Sequence, residues 1–470
     1  MRQNNINTLL VVISLTIVLA GCTVGPKYHR PVTEIPGGYR GMAPGLDSAG
    51  TSATSLGEAD WQSVFQDEQL QALIRKALEH NYDMRIAAER VVAAQAQLGI
   101  TRADQLPSLS TSGSLDSVRQ AQTSISPVYR AELGQLAMSA SWEIDFWGKY
   151  RKATEAARAN LAATEWGRRA VTNTLISNVA TSYFQLRALD LELEITQNTL
   201  QSRRESLRLT KMLADGGAGS MMDVRQAEQL VFTASAAIPN LQQQIEQQEN
   251  FISTLLGENP GVIPRGKTLE DQPRLSSVPA GLPSALIERR PDIRQAEEHL
   301  IAANAQIGVA KAALFPSISL TGTAGSQSTA LTNLFSGPAG FWSTGAAMSQ
   351  PLFEGGRLRN NVRLTESQQR QAVLSYQKTV QSAFLEVSDS LVAYRKTSEV
   401  TQQQQNLAAA AQDAARLARV RYEAGASAYL EVLTNETNYY SAELNLSQAR
   451  LNETLAVVQV YNSLGGGWKQ

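Results

Sequence analysis

One cysteine stands in 470 residues, at position 22, so no disulfide can form within the chain. Three histidines, His29, His80 and His299, lie far apart in sequence. With a single thiol they offer no metal cluster, no thiol catalyst and no Ser/His arrangement. A formal net charge of −1 gives no reason to expect nucleic acid as a partner. Gly355 and Gly356 follow a strand and open a helix, but no P-loop lysine accompanies them, so no nucleotide site is expected. The chain reads as a protein that is not an enzyme and has no cofactor. Strongly apolar residues are also thin on the ground. The hydrophobic fraction of 43% leans on alanine, mean hydropathy is −0.22, and Ala, Gln, Ser and Thr fill the long helical stretches. Such helices are expected to have water on one side.

What the chain has in quantity is itself, twice. Asp83 to Pro107 and Asp292 to Pro316 align without a gap at an offset of 209 (292 − 83). They share 11 of 25 positions, among them Glu89/Glu298, Gln97/Gln306, Gly99/Gly308 and the closing proline. The register continues at an offset of 208, pairing Gly148 with Gly356, Gly217 with Gly425 and Asp223 with Glu431. A duplicated unit of about two hundred residues favours one pseudo-symmetric body over several independent domains.

At the N-terminus, Arg2 precedes an apolar run from Leu9 to Ala20, then Gly21 and Cys22. The run is too short to span a bilayer comfortably and reads as a cleaved export signal. Cys22 is either a small residue at an ordinary cleavage site or the lipidated first residue of a mature bacterial lipoprotein. Its place directly after Leu19-Ala20-Gly21 favours lipidation, and Thr23, where Asp does not follow, favours passage to the outer membrane. The expected organisation is a signal peptide over 1–21, a lipidated extended tether over 22–60, a first repeat over 61–260, a linker over 261–283, and a second repeat with its tail over 284–470.

Within each repeat the hydrophobic period changes twice. Trp61 to Asn81 is a short amphipathic helical region, and Asp83 to Leu106 is a helix ending before Pro107. Ser108 to Asp116 and Gln135 to Phe146 then alternate with a period of two, which predicts strands of about ten residues. The second repeat places Ile318, Leu320, Gly322 and Ala324 on one face of the third strand, and Trp342, Ala346, Met348 and Leu352 on the fourth. From Arg151 to Leu213 a heptad seam predicts a helix of 63 residues, roughly 95 Å long at about 1.5 Å per residue. The chain turns at Gly217 and returns along a helix that Pro239 should kink or break. The second copy runs from Leu358 to Tyr422, turns at Gly425, and returns through Leu430, Leu433, Thr437, Tyr440, Leu444 and Ser447.

Strands that are apolar on one face and Ser/Thr/Asp-rich on the other, with Trp142, Phe146, Trp147, Phe341 and Trp342 near their ends, fit a lipid-facing barrel better than a soluble hairpin. Four strands cannot close a barrel, and an open sheet edge is not tolerated in lipid. Oligomerisation follows, and three chains would bring twelve strands and twelve helical columns.

The opening CTVGPKYHRP, the segment LIERRPDIRQAEEHLIAANAQIGVAKAALFPSISLTG, the phrase QPLFEGGR, the turn RYEAGASAYLEVL and the terminal LGGGW resemble the lipoprotein branch of the TolC-type outer-membrane efflux channels. That resemblance covers essentially the whole mature chain. It implies a mainly α fold with β, namely a homotrimer with a 12-stranded transmembrane β-barrel continuous with a long periplasmic α-helical barrel. It implies a passive conduit for drugs and toxic compounds, lipid-anchored in the outer membrane. Its partners would be a periplasmic membrane-fusion adaptor and an inner-membrane resistance-nodulation-division pump. A metal-ion channel and a structural coiled-coil surface lipoprotein are the alternatives. The turns, with Gly217, Ser220, Gly425 and Ser427, would contact the adaptor. Leu430 would match a leucine ring of the closed pore, while Thr434 and Thr437 occupy positions that are charged in relatives, so an apolar constriction is expected in place of a salt-bridged gate. The plainer alternative makes Leu430 one more seam residue. Met212, Met221 and Met222, which flank the first turn, read as packing in preference to a copper path.

Overall fold

The computed structural model describes residues 23–40, 55–121, 129–272, 279 and 281–468. In chain order the elements are α1 (Trp61–Val64), α2 (Glu68–His80), α3 (Tyr82–Ala103), β1 (Ser108–Gln120), β2 (Tyr129–Ile144), α4 (Lys149–Asp215), α5 (Met221–Leu255), α6 (Pro283–Arg289), α7 (Pro291–Ala312), β3 (Ser317–Ser328), β4 (Gly340–Ser349), α8 (Arg357–Glu423) and α9 (Tyr429–Ser463). The duplication is carried to the residue: α4 and α8 each have 67 residues, and α5 and α9 each have 35.

The fold divides into two compact units, one of Arg90–Glu165 and Gln295–Gln377 with the N-terminal segment up to Val32, the other of Thr33–Glu89, Trp166–Arg294 and Lys378–Gln470. In the first unit the strands form one antiparallel sheet in the order β1-β2-β3-β4. The N-terminal segment 23–32 is extended, as its composition predicts, but it is fixed against the sheet base and α7. Val24 donates its N–H to Trp147 O at 3.1 Å, Asn304 Nδ2 donates to Pro26 O at 3.2 Å, and Arg30 donates Nε and Nη2 to the two carboxylate oxygens of buried Glu297, both at 2.6 Å. A Cβ on Gly25 would lie 2.7 Å from Gly308 Cα, so the two backbones touch here only because neither residue has a side chain.

In the second unit the α4 seam is largely buried as its heptads require, with Leu175, Val179, Ser182, Leu186, Thr196, Leu200 and Arg203 all inside. Its apolar clusters are small and rich in alanine: Leu200, Val231 and Ala234 form one, and Ala408, Ala442 and Leu446 another. The RRPD run is structural. Arg289 Nε donates to Leu464 O at 2.9 Å and Arg290 Nη1 to Ser463 O at 2.9 Å, while Arg290 Nη2 pairs with Glu386 at 2.6 Å. These bonds hold the C-terminal end of α9, whose open carbonyls would otherwise lack partners. Trp468 beyond it meets Trp166 edge-on at 5.6 Å with Arg169 over both rings.

Three expectations are corrected by the fold. Pro239 does not interrupt α5; it is exposed on a helix that continues through it. Leu352 lies beyond the end of β4 and so belongs to no strand face. The first turns of the α9 seam are displaced by one position, because Tyr429, Val432 and Glu436 are buried while Leu430 and Thr437 are exposed. A tyrosine ring offers more apolar surface to the interior than leucine does, and its burial rotates the start of the helix.

Candidate functional site: the membrane sheet and the hairpin turns

Cross-strand pairing brings the apolar alternation of all four strands onto one face. Leu109 pairs with Ala140, Trp142 with Leu320, Ile144 with Ile318, Ala324 with Trp342 and Ile318 with Met348. Directly paired residues of an antiparallel sheet point the same way, so these side chains share a surface. Leu109, Leu115, Trp342 and Met348 on it are exposed by 69–77%. The opposite surface carries Ser110, Ser139, Thr323 and Ser343, which stand in register across the sheet. Phe341 pairs with Gly325 and falls on this polar side, unlike Trp342. The strands of the first repeat are longer than the apolar band, at 13 and 16 residues. Arg119 and Glu132 end the apolar face, because ladder hydrogen bonds persist where the hydrocarbon no longer does. At the base, Trp142 Nε1 donates to Gln105 O at 3.0 Å and Trp147 Nε1 to Pro316 O at 2.8 Å. Among the described residues no helix is long and apolar enough to cross a membrane.

The two hairpin turns have one geometry. Gly217 and Gly425 have φ of 74° and 69°, and a Cβ on either would meet nothing within 4 Å, so backbone conformation alone demands glycine. Ala218 N donates to Leu213 O and Ala426 N to Arg421 O, both at 2.8 Å, closing matching Schellman ends. The starts of the return helices differ. Ser220 caps α5 by accepting from Met222 N at 3.1 Å, whereas its counterpart at the 208 offset is Ala428, which supplies no side-chain cap to α9. Ser427, one residue earlier, is half-buried and its hydroxyl does not cap the helix.

Leu430, Thr434 and Thr437 are all exposed, spaced four and three residues apart, and so lie on one face of α9. Within the chain Leu430 does not lie in the seam: it is 59% exposed while Tyr429 beside it is 2% exposed. Behind that face, Tyr429 and Val432 pack with Ala227 and Ala418, and Tyr422 meets Tyr429 at 5.5 Å. Sequence reasoning missed the buried carboxylate below. Glu436 accepts from Ser206 Oγ at 2.9 Å and pairs with Arg419 at 2.7 Å, while Arg203 lies over the Tyr440 ring and donates to Leu230 O at 3.0 Å. The signal was present as Arg203, a lone charge at a seam position between Leu200 and Leu207. Met212, Met221 and Met222 are exposed by 51%, 59% and 69%, so they are not packed into the chain's interior as expected. No group of three His, Cys, Asp or Glu among the described residues could hold a metal ion. Cys22 lies outside the described residues.

A sheet with an exposed apolar face, borne on long helical hairpins, is the subunit of a membrane channel closed by more than one chain. The family model described as outer membrane efflux protein matches residues 73–258 and 282–466. The chain belongs to this family of outer-membrane efflux channels. It is 36% identical over 468 residues to a probable efflux pump outer membrane protein, TtgC, of Pseudomonas putida, covering 98% of this chain and 96% of that one. It is 34% identical over 457 residues to the cation efflux system protein CusC of Escherichia coli O6:H1, covering 97% and 98%. The solved outer-membrane channel OprN superposes with a TM-score of 0.88 at 31% identity, covering 95% of this chain and 100% of that one. A purely structural spacer has no use for the paired strands and falls away.

Proposed function

We propose that three copies of the chain close a 12-stranded barrel in the outer membrane and a helical conduit in the periplasm, through which a tripartite pump expels drugs and other toxic compounds. The single observation that carries the reading is the continuous apolar face of a four-stranded sheet whose outer edges have no partner strand among the described residues. Lipid tolerates neither free edge, and threefold closure removes both. The turns around Gly217, Ser220, Gly425 and Ser427, flanked by the exposed charges of Asp215, Arg225, Arg421 and Glu423, are the proposed contact with a periplasmic adaptor. Energy comes from the inner-membrane pump, as the chain carries no nucleotide motif. Light scattering in mild detergent, corrected for bound detergent, is expected to give three chains per particle, and planar bilayers are expected to show single-channel conductance. A monodisperse monomer would sink the proposal.

Cys22 is the proposed lipid attachment, and the path of the next residues suits it. Thr23, the residue that follows, packs at the base of the sheet, where a Cβ on Gly148 would meet Thr23 Cγ2 at 2.8 Å. Cys22→Ser is expected to abolish palmitate labelling while the barrel still inserts, since the strands bury far more apolar surface than acyl chains do. Persistent labelling of the variant would refute the assignment.

A further inference from the structure

α9 contains five charged residues; Glu436 is buried, Glu443, Arg450 and Glu453 are half-buried, and Glu431, in the first turn, keeps its side chain 41% exposed beside Arg421. Glu431 faces Arg421 at 3.8 Å, Glu436 pairs with Arg419, Glu443 accepts from Tyr439 Oη at 2.7 Å, Arg450 pairs with Glu270, and Glu453 lines a pocket with Tyr394. The exposed positions are of one chemical kind. Beyond the turn of Leu430, Thr434 and Thr437 they are Asn438, Ser441, Asn445, Gln448, Asn452 and Gln459. At 3.6 residues per turn all of these fall within an arc of roughly 100°. The rest of the helix is buried or half-buried in its own chain, so this arc is its most open surface.

Composition does not explain the pattern. The exposed positions of neighbouring α8 include Arg395, Lys396, Glu399, Asp413 and Arg416, so this chain does place charge on helix surfaces. The first repeat reproduces the neutral arc in part: α5 exposes Arg225 and Glu246 elsewhere on its surface, but no charge at the positions matching the arc. At the 208 offset, Thr437, Ser441, Gln448 and Asn452 correspond to Gln229, Thr233, Asn240 and Gln244 of α5, all exposed and all uncharged. At these four pairs of positions both copies carry hydroxyls or carboxamides, where charge is the ordinary choice for a water-facing helix.

We infer that the neutral arcs of α9 and α5 line the conduit, and that this wall admits small organic solutes of either charge sign without selecting among them. The inference rests on the trimeric channel proposed above. In pores that do select, rings of fixed charge set the sign of the permeant ion. A fixed charge is felt over a Debye length of about 8 Å at physiological salt, so its absence along the arc leaves nearby ions unsorted. Hydroxyls and carboxamides exchange hydrogen bonds with water and with polar groups of a passing solute, without holding it. Metal cations find no carboxylate, imidazole or thioether on the α9 arc, so they meet no station at which to be coordinated.

Reversal potentials of the full-length protein in planar bilayers under a KCl gradient test this. The wild-type ratio of cation to anion permeability is expected within about twofold of unity, with Asn445→Asp shifting it several-fold towards cations and Asn445→Lys towards anions. A conducting wild-type channel that already selects by more than about fivefold overturns the neutral wall. Unchanged reversal potentials in both variants show that the α9 arc does not face the conduit. Either result leaves the channel itself standing. Failure to conduct, in the wild type and in Leu430→Ser alike, removes the channel and the inference together.

Discussion

Ala140→Arg is expected to abolish recovery of assembled protein from the outer membrane, whereas Ser141→Arg, one residue further on, is expected to leave most of it. Ala140 sits at the middle of the apolar band of β2, flanked by Leu109 on β1 and Gly322 on β3. An arginine on the lipid face at the bilayer midplane costs about 2–4 kcal/mol, and threefold symmetry triples the penalty for the assembly. That sum is comparable to the whole stability of many domains. Ser141 points to the opposite surface, between Ser108 and Thr321, where water can solvate a guanidinium. The readout is the amount of trimer in the outer-membrane fraction by size-exclusion chromatography. Equal loss in both variants would mean that neither surface tolerates charge, and equal tolerance that the sheet does not face hydrocarbon.

The contrast between those two neighbours was legible in the sequence, because a period of two assigns faces without any structure. The duplication was legible for the same kind of reason. Two copies folding under one set of constraints gave helices of identical length, 67 and 35 residues in each. Element ends were less legible. Strands β1 and β2 outrun their alternation, since backbone pairing continues past the hydrocarbon and no side-chain pattern reports it.

The seam at the second turn was misread by one position because Tyr429 and Leu430 are both acceptable interior residues, and only packing against Ala227 and Ala418 decides between them. Glu436 shows the converse failure. A carboxylate in a helical pattern reads as a solvated face, and nothing local announces that Ser206 and Arg419 will meet it. The same blindness hid the neutral arc of α9: no charge is missing from the helix, and only burial shows that its fully exposed positions carry none.

Leu430→Ser is expected to raise single-channel conductance and to sensitise cells to large antibiotics, while Met222→Ser, its counterpart at the 208 offset, is expected to do much less. Both residues are exposed, by 59% and 69%, so exposure alone does not separate them. The helix starts do. Ser220 fixes the first turn of α5 through its hydroxyl, an interaction worth about 1 kcal/mol at an N-cap. Ala428 supplies none, so the first turn of α9 can tilt at the Gly425 bend with less opposition. Such a tilt brings three symmetry copies of Leu430 towards one axis, and apolar rings stop ions by dewetting without any charge. Thr434 and Thr437, each already hydrogen-bonded to the carbonyl four residues back, add no ion pair to that closure. A constriction held by leucine alone should therefore respond little to salt or pH. Equal effects at Leu430 and Met222 would mean that both repeats share the constriction, and silence at Leu430 would place the gate elsewhere.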